Sequence, residues 1–379
     1  MHLARGWLGG VLGVLLQVPA IWAHSALLPP VHSDVDYLLC LTGSSETSPQ
    51  SLRYERYFSA MNDVLPLAEA ADEPFPQRRA GSSTPFFGQQ ELVRWAWQSQ
   101  RWTLEKAEGT VTFLTGNRDA AQLWLDSKAD ATDPQRTYQP SAAGRENYLG
   151  WWGVRYAFPL SGSQVRGTCT VGGRSLESSR FREGGLTGTY AQDSLRGEVA
   201  LLSSRGIGLA PASGKGWALD WAATVEWGSG WRGLVAVEGL AGTLHWKRLR
   251  QLEGHFDTTA FAQDPEGFIR NLPVLSGQEK HRPLRRSVDR QFLLGLSREQ
   301  SPWSWAVMYA QRVGRPNGHL GLVRRMGDDQ RLLLSLQMPV RAVSLGYTTP
   351  HFSLFLSLSH LNPTRATTLG AQASLALSW

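Results

Sequence analysis

Cysteine is scarce in this chain of 379 residues, and long apolar runs are absent beyond the N-terminus. A membrane-spanning helix needs about 20 consecutive apolar residues, so the later sequence predicts none. Neither Cys40 nor Cys169 has a second Cys or His at the spacing of a zinc site, so we predict no metal and no cofactor. An exported pair of cysteines can form a disulfide or stay as two free thiols, and the sequence leaves both open.

Catalytic signatures are also missing. The sequence contains no Gly-x-Ser-x-Gly elbow, no His-Glu-x-x-His pair and no calcium loop. Gly214-Lys215-Gly216 resembles the end of a phosphate loop, but Leu209 stands where the first glycine is required. We therefore predict a turn at this segment and no catalytic residues, with an enzyme at the rim of a barrel as the less favoured alternative.

The N-terminus has the features of an export signal. One positive charge at Arg5 precedes an apolar stretch that Pro19 interrupts, and Ala23 or Ala20 offers a small residue for cleavage. This pattern predicts a signal peptide over residues 1–23, and an uncleaved anchor helix is the alternative. An exported chain without a later membrane helix is either soluble or a β-barrel, because only helices and closed barrels satisfy their backbone in lipid.

The last eleven residues alternate between apolar and small or polar side chains. A strand places successive side chains on opposite faces, so this segment has one apolar face and one small polar face. Its length suits a tilted strand across a bilayer, and it ends on an aromatic residue. Such an ending is typical of the closing strand of an outer-membrane barrel, so we expect the barrel assembly machinery as a partner. The apolar positions are Leu369, Ala371, Ala373, Leu375, Leu377 and Trp379.

The same alternation recurs upstream, for example in Phe352–Leu358, Gln330–Gln337, Trp303–Gln311 and Gly216–Trp227. Strands at intervals of about 10 residues, separated by turn signals, indicate an antiparallel meander. We predict an all-β, up-and-down transmembrane barrel of about 14 strands, with a range of 12–16, over residues 147–379. If the C-terminus is periplasmic, the connections at Asn362–Arg365 and Gln251–Val288 both lie outside the cell.

Residues 24–146 have a different character. A near-helical spacing of aromatic and apolar residues predicts a helix over Leu52–Ala71, and short strands are predicted at Leu92–Trp97, Thr110–Thr115 and Gln122–Asp126. We favour a periplasmic or plug-like segment here. The first strands of a larger barrel are the alternative.

Composition agrees with a barrel. The chain has 16 Trp and 39 Gly, and outer-membrane barrels carry aromatic girdles at both interfaces. The net charge of +6 points to anionic lipid, including lipopolysaccharide, since an exported protein rarely meets nucleic acid. The predicted interfacial aromatics are Trp227, Trp231, Trp246, Trp303 and Trp379.

Charged residues on the face opposite the tryptophans are predicted to line the lumen. A lumen with both signs of charge forms either a wet pore or a plug of ion pairs. The predicted lumen residues are Asp220, Glu226, Arg232, Glu238, His245, Lys247, Arg325, Arg331 and Gln337.

The densest basic run lies between residues 279 and 286. Arginine matches the geometry of phosphate, so this run is predicted to contact anionic lipid, and an ordinary solvated loop is the alternative. The candidate lipid contacts are Lys280, Arg282, Arg285 and Arg286.

One stretch resembles a known group of barrels. Gly214–Trp221, followed by Gly233–Gly242 and Trp246, resembles paired strands of FadL-like, PorV-like and TraF-like outer-membrane barrels. Glu238-Gly239 stands where those barrels have Asn. The resemblance implies about fourteen strands and a role in transport or in an export or assembly system. We expect an outer-membrane location, with a soluble exported β-rich binding protein as the alternative.

Overall fold

Antiparallel strands close into a barrel in the computed structural model of this protein. The residues that the structure describes are 25–26, 34–42, 50–62, 86–129, 132–133, 135–162, 165–192, 194–205, 212–258, 261–263, 269–271, 275–312, 315–327, 329–338, 340–362 and 365–378. The predicted signal peptide and Trp379 lie outside these residues and stay predictions.

In the first part of the chain, the described residues form two helices and nine strands. In chain order they are β1 (Ser25–Ala26), α1 (Asp34–Leu41), β2 (Gln50–Asn62), β3 (Phe86–Ser99), β4 (Trp102–Gly116), α2 (Arg118–Lys128), β5 (Ser141–Ser161), β6 (Val165–Ala191), β7 (Ser194–Ser203), β8 (Gly214–Trp227) and β9 (Trp231–Asp257).

Ten further strands complete the chain. They are β10 (Phe261–Gln263), β11 (Ile269–Asn271), β12 (Leu275–Val288), β13 (Gln291–Gln300), β14 (Trp303–Arg312), β15 (Arg315–Arg325), β16 (Arg331–Met338), β17 (Ala342–Thr348), β18 (Phe352–Leu358) and β19 (Thr368–Ser378).

Two positions in the wall are occupied by pairs of segments. β7 and β8 run in the same direction between β6 and β9, and β12 and β13 together run antiparallel to β9. Each pair therefore acts as one strand. Strands β19 and β2 close the wall, which gives fourteen positions. This confirms the predicted up-and-down barrel and the total of about fourteen strands, although three of the positions, β2, β3 and β4, lie before the predicted range of 147–379.

The two ends of the barrel differ. At one end all connections are short, such as 100–101, 228–230 and 301–302. The other end carries the long connections, 63–85, 117–140, 258–274 and 359–367, together with short ones such as 192–193 and 313–314. The connection at Asn362–Arg365 lies at the long-loop end. Gln251–Val288 was predicted as one long loop, and this is wrong. Most of this segment belongs to strands β9 and β12. The two strands stay hydrogen-bonded to each other above the level at which the short strands end.

The predicted boundary at residue 146 is also wrong, because β2, β3 and β4 belong to the barrel wall. The predicted helix over Leu52–Ala71 is strand β2 as far as Asn62, beyond which lie residues outside the described range. The reason is local: Arg56 stands on the outer face, and Tyr57 on the inner one. A charged residue on the outer face and an aromatic residue on the inner face hide the alternation that is expected of a membrane strand. The spacing of the aromatic residues fits a helix as well as a strand.

The barrel is much taller on one side than on the other. Strands β5, β6 and β9 have 21 to 27 residues, whereas β14 to β19 have 7 to 11. Above the level of the short strands, α2 packs against the outer face of β6, β7 and β9. This contact is an apolar cluster of Leu123, Tyr138, Leu186, Tyr190, Leu195, Val199 and Phe256. Among the described residues, neither helix is long and apolar enough to span a membrane.

Candidate functional site: a helix held inside the barrel

Helix α1 lies inside the barrel against the short strands. Leu38 and Leu41 are almost fully buried among inward residues of β9, β13 and β14, and Leu39 packs against β15, β16 and β18. The inner faces of these strands carry many small side chains, so they leave room for a helix. The small inward residues include Ala306, Ala310, Gly321, Ser335, Ser344, Gly346 and Ser374.

The start of α1 is fixed by charged and polar contacts. The carboxylate of Asp34 accepts a hydrogen bond from Nε of Arg312 at 2.6 Å and lies 3.0 Å from Nε2 of His319. The hydroxyl of Tyr37 donates to Glu238 at 2.9 Å. Arg312 also donates to Gln291 at 2.7 Å. An acidic residue in the first turn further suits the positive end of the helix dipole.

The end of α1 is capped by the wall of the barrel. Arg232 donates to the carbonyl of Cys40 at 2.8 Å, and Arg331 donates to the carbonyl of Thr42 at 3.2 Å. The hydroxyl of Ser297 donates to the carbonyl of Leu41. The last carbonyls of a helix have no partner within it, so cations here satisfy them and suit the negative end of the dipole.

A ladder of ion pairs connects α1 to β19, β2 and β3. Asp36 accepts a hydrogen bond from Gln372 at 2.8 Å and lies 3.6 Å from Arg53. Arg53 and Arg94 flank Glu55 at 2.8 and 3.0 Å. These charges are largely buried, so they depend on one another: removing one partner of a buried pair costs about 3–5 kcal/mol.

The tall side fills its lumen with its own side chains. At the level of α1, Arg155 pairs with Glu105 at 2.7 Å, and Arg174 pairs with Asp220 at 2.7 Å. Asp220 also accepts a hydrogen bond from the backbone of Gly239, whose φ of +67° is a left-handed conformation that favours glycine.

An apolar layer lies above these ion pairs. Trp246 and Phe181 are fully buried, with ring centroids 4.5 Å apart, among leucines of β5, β6 and β9. Next to this layer, Glu183 is held by Arg145 at 3.2 Å and by Arg286 at 3.1 Å. The upper lumen of the tall side is therefore a packed core.

The predicted lumen residues divide into two groups. Seven lie on the inner face, where Glu226 pairs with Arg232 and Arg325 pairs with Glu299 at 2.7 Å. His245 and Lys247 are exposed on the outside, contrary to the prediction. Those on the inner face are Asp220, Glu226, Arg232, Glu238, Arg325, Arg331 and Gln337.

The reason for this error is that residues 231–257 form one strand. The bulge at Gly239 adds an even number of residues to β9, so the alternation continues unchanged across it. Trp246 therefore points inward like Arg232 and Glu238, and its neighbours His245 and Lys247 point away from the lumen. The predicted interfacial position of Trp246 is wrong for the same reason.

Of the other predicted aromatics, Trp227, Trp231 and Trp303 lie at the short-turn end. Trp227 and Trp303 are exposed, and Trp231 packs edge-on against Trp305 with ring centroids 5.5 Å apart. Above them, the outer face carries exposed leucines all along the short strands. Leu345, for example, is 56% exposed and Leu320 is 51% exposed. A soluble protein would bury such a continuous apolar surface, so the alternative of a soluble binding protein is wrong.

The four predicted lipid contacts do not share one surface. Arg286 points inward to Glu183, which removes it from the outside. Lys280 and Arg282 are exposed, but Arg282 is paired across the sheet with the buried Leu249 and shares its inner face. Arg285 alone is exposed on the outer face.

The two cysteines are free, and the wall of the barrel separates them. Cys40 lies on α1 in the lumen. Cys169 is two residues before the exposed Val171 on β6, so both side chains lie on the outer face of the strand. The disulfide that the sequence left open is therefore not formed.

Sequence reasoning missed α1 and its contacts at Asp34, Tyr37, Arg312 and His319. Two acidic residues before a short apolar run at Tyr37 are a signal for the start of a helix. Within the described residues, no group of three His, Cys, Asp or Glu could hold a metal ion.

Comparisons with known proteins find likeness only among solved structures: no family model and no curated protein matches. The chain is similar to a deletion variant of the monoaromatic hydrocarbon channel TodX (9% identity, TM-score 0.46, 96% of this chain and 97% of that chain). It is also similar to a Pseudomonas aeruginosa FadL homologue (8%, 0.43, 93% and 98%) and to the P. putida toluene transporter TodX (10%, 0.42, 90% and 92%).

Proposed function

We propose that this protein is an outer-membrane barrel that passes a solute, and that α1 is the plug which controls passage. The observation that carries the proposal is the way α1 is held. Its backbone ends and its acidic side chains are bound by groups from β2, β9, β13, β14, β15, β16 and β19.

Polar contacts of this kind could be replaced by contacts with water if the whole helix moved. A permanently filled lumen would be expected to bury continuous apolar surface, as the upper tall side does around Trp246. The helix buries Leu38, Leu39 and Leu41 in two small apolar clusters, but both of its ends are fixed by polar contacts. Its displacement toward the short-turn end would leave a lumen lined by Arg312, Glu238 and Asp220.

The exterior supports the outer-membrane location. The apolar band is compatible with the hydrocarbon layer that outer-membrane barrels cross, since the strands of the short side have 7 to 11 residues that rise about 3.3 Å each along a tilted path. The short-turn end bears the tryptophan girdle and corresponds to the periplasmic side of such barrels.

We infer passage rather than catalysis at the rim. Among the described residues, His319 is bound to Asp34 inside the wall, and His255 lies 3.7 Å from Glu198 on an open surface. Neither arrangement places a serine nucleophile next to the pair, so neither provides a serine relay. The pair at His319 is buried inside the barrel, away from the rim.

The test is conductance in planar bilayers after heat-modifiability has shown that the barrel is folded. Arg312→Gln breaks the contacts with Asp34 and Glu238 at the start of α1. We expect longer or larger conductance openings than in the wild type, because the helix loses its best-fixed end.

Arg325→Gln is the matched control. It removes a lumen ion pair with Glu299 that does not touch α1. Equal conductance in Arg312→Gln, Arg325→Gln and the wild type would refute α1 as the controlling element.

A further inference from the structure

A row of basic residues crosses three strands on the outside of the tall side. Lys215 on β8 is paired with His245 on β9, and His245 is paired with Arg285 on β12. Side chains directly opposite one another in a sheet point to the same face, about 5 Å apart. All three are exposed, so they form one continuous outer row, which we call the basic row.

A second feature enlarges this surface. Between Trp246 and Leu249, β9 has one residue more than β12, and Lys247 and Arg248 are both exposed at this bulge. Two further cations thus stand beside the basic row.

Two carboxylates stand at this level, Glu177 and, two strands further along the same row, Glu108 on β4, which accepts a hydrogen bond from Tyr148. Glu177 on β6 lies across from Lys215, but no ion pair joins them. Higher up, Glu279 is already paired with Arg250 at 2.8 Å. The surface thus keeps a clear excess of positive charge.

The height of the basic row is the decisive observation. Trp217 is the next outward residue below Lys215 on β8, and it is 47% exposed; Leu219 follows at 41%. The row therefore begins where the apolar band ends, at the long-loop end of the barrel. If the barrel is oriented as proposed above, this is the level of the headgroups of the outer leaflet.

We propose that the basic row binds a phosphate-bearing lipid headgroup of the outer leaflet, of the lipid A type. The inference rests on the membrane orientation given under the proposed function. Charge complementarity and height select this occupant, since Lys and Arg beside an apolar band attract anionic headgroups while the acyl chains cover Trp217 and Leu219. Arginine and lysine also match phosphate oxygens as donors.

The test is binding of lipid A to the folded full-length protein in nanodiscs of phosphatidylethanolamine with increasing lipid A, followed by native mass spectrometry. The variant Lys215→Glu/Arg285→Glu reverses both ends of the basic row. We expect it to bind lipid A about a hundredfold more weakly than the wild type, given the attraction of each basic residue to an anionic surface.

The control is Lys280→Glu/Arg282→Glu, which makes the same charge change on the other face of β12. It should bind lipid A like the wild type. Equal weakening in both variants, or a wild type without preference for lipid A over phosphatidylethanolamine, would overturn the proposal.

Conductance in bilayers free of lipid A separates the two proposals. The basic-row variant should conduct like the wild type, because the row does not face the lumen. A loss of lipid A binding with normal conductance thus concerns the basic row alone, and abnormal plug behaviour concerns α1 alone.

Discussion

The tall and the short sides of the barrel fill the lumen with different parts of the chain. The tall side, β4 to β9 with β12, fills its lumen with large side chains such as Trp151, Trp246 and Phe181. The short side, β14 to β19, carries small inward residues and takes in α1 instead. One side therefore fills its lumen with residues of its own strands, whereas the other is filled by a separate helix.

The outer faces differ as well. The short side presents leucines over nearly its whole height. The tall side rises above its apolar band, where it is covered by α2 and carries the basic row. The comparison teaches that one continuous wall can have two kinds of interior, one packed by its own side chains and one filled by a helix from another part of the chain.

Trp246→Ala should have the largest effect on stability. It removes a fully buried side chain from the packed core of the tall side, and large-to-small changes of this kind cost about 3–5 kcal/mol. Urea unfolding of the barrel in lipid vesicles measures the change. A cost below about 1 kcal/mol, outside the range for large-to-small core substitutions, would show that the tall side has no core of its own.

Leu345→Arg tests whether the outer face of the short side contacts the lipid hydrocarbon. Leu345 lies in the middle of the apolar band on β17, and an arginine at the bilayer midplane of a barrel costs about 2–4 kcal/mol. The same unfolding assay gives the value. As a control, Lys280→Arg on the tall side should change stability very little, because this side chain is exposed above the band.

Gly295→Val tests whether the plug can be displaced. A Cβ atom at Gly295 would lie 2.3 Å from Cδ1 of Leu41 and 3.2 Å from its Cγ, so the side chain of Leu41, or the helix that carries it, must move. Overpacking costs about 1–3 kcal/mol, and we expect faster labelling of Cys40 by a water-soluble maleimide. The assay uses a Cys169→Ser background. Unchanged labelling would mean that α1 is held more firmly than its polar contacts indicate.

Tyr138→Phe should have the smallest effect. Burial under α2 and the hydrogen bond to Asp126, at 2.7 Å, raise the pKa of Tyr138 to about 12. The raised pKa means that this stabilisation is complete below pH 10 and is lost as the pH rises toward 12, because only the unfolded tyrosine ionises easily.

The measurement is the difference in unfolding free energy between wild type and Tyr138→Phe from pH 8 to 12. We expect about 1 kcal/mol in favour of the wild type at pH 8, shrinking above pH 10. A difference that does not change with pH would contradict the assigned cause.

The sequence predicted the short side far better than the tall side. In β16 and β18, leucines alternate strictly with small or polar residues, and the structure places them as the period requires. In β2, Arg56 outside and Tyr57 inside break the contrast between the faces. Residues 231–257 were predicted as two strands but form the single strand β9. Trp246 was therefore assigned to the outer face, whereas it points inward.

The candidate site was predictable only in part. Arg232, Glu238 and Arg331 were recognised as inward residues, but their partner was not, because the eight residues of α1 are too short to show a clear helical period. Arg312 and His319 belong to the site only because they contact Asp34, which is far away in the sequence.

The sequence by itself determined the barrel, since alternation with a period of two and regular turns admit few other folds for an exported chain. Only the tertiary structure decided what fills the lumen and where the basic residues gather. The physical reason is that alternation fixes the face of each residue within one strand, whereas registers and bulges fix which residues of different strands meet. Lys215, His245 and Arg285 become one surface through pairing across three strands.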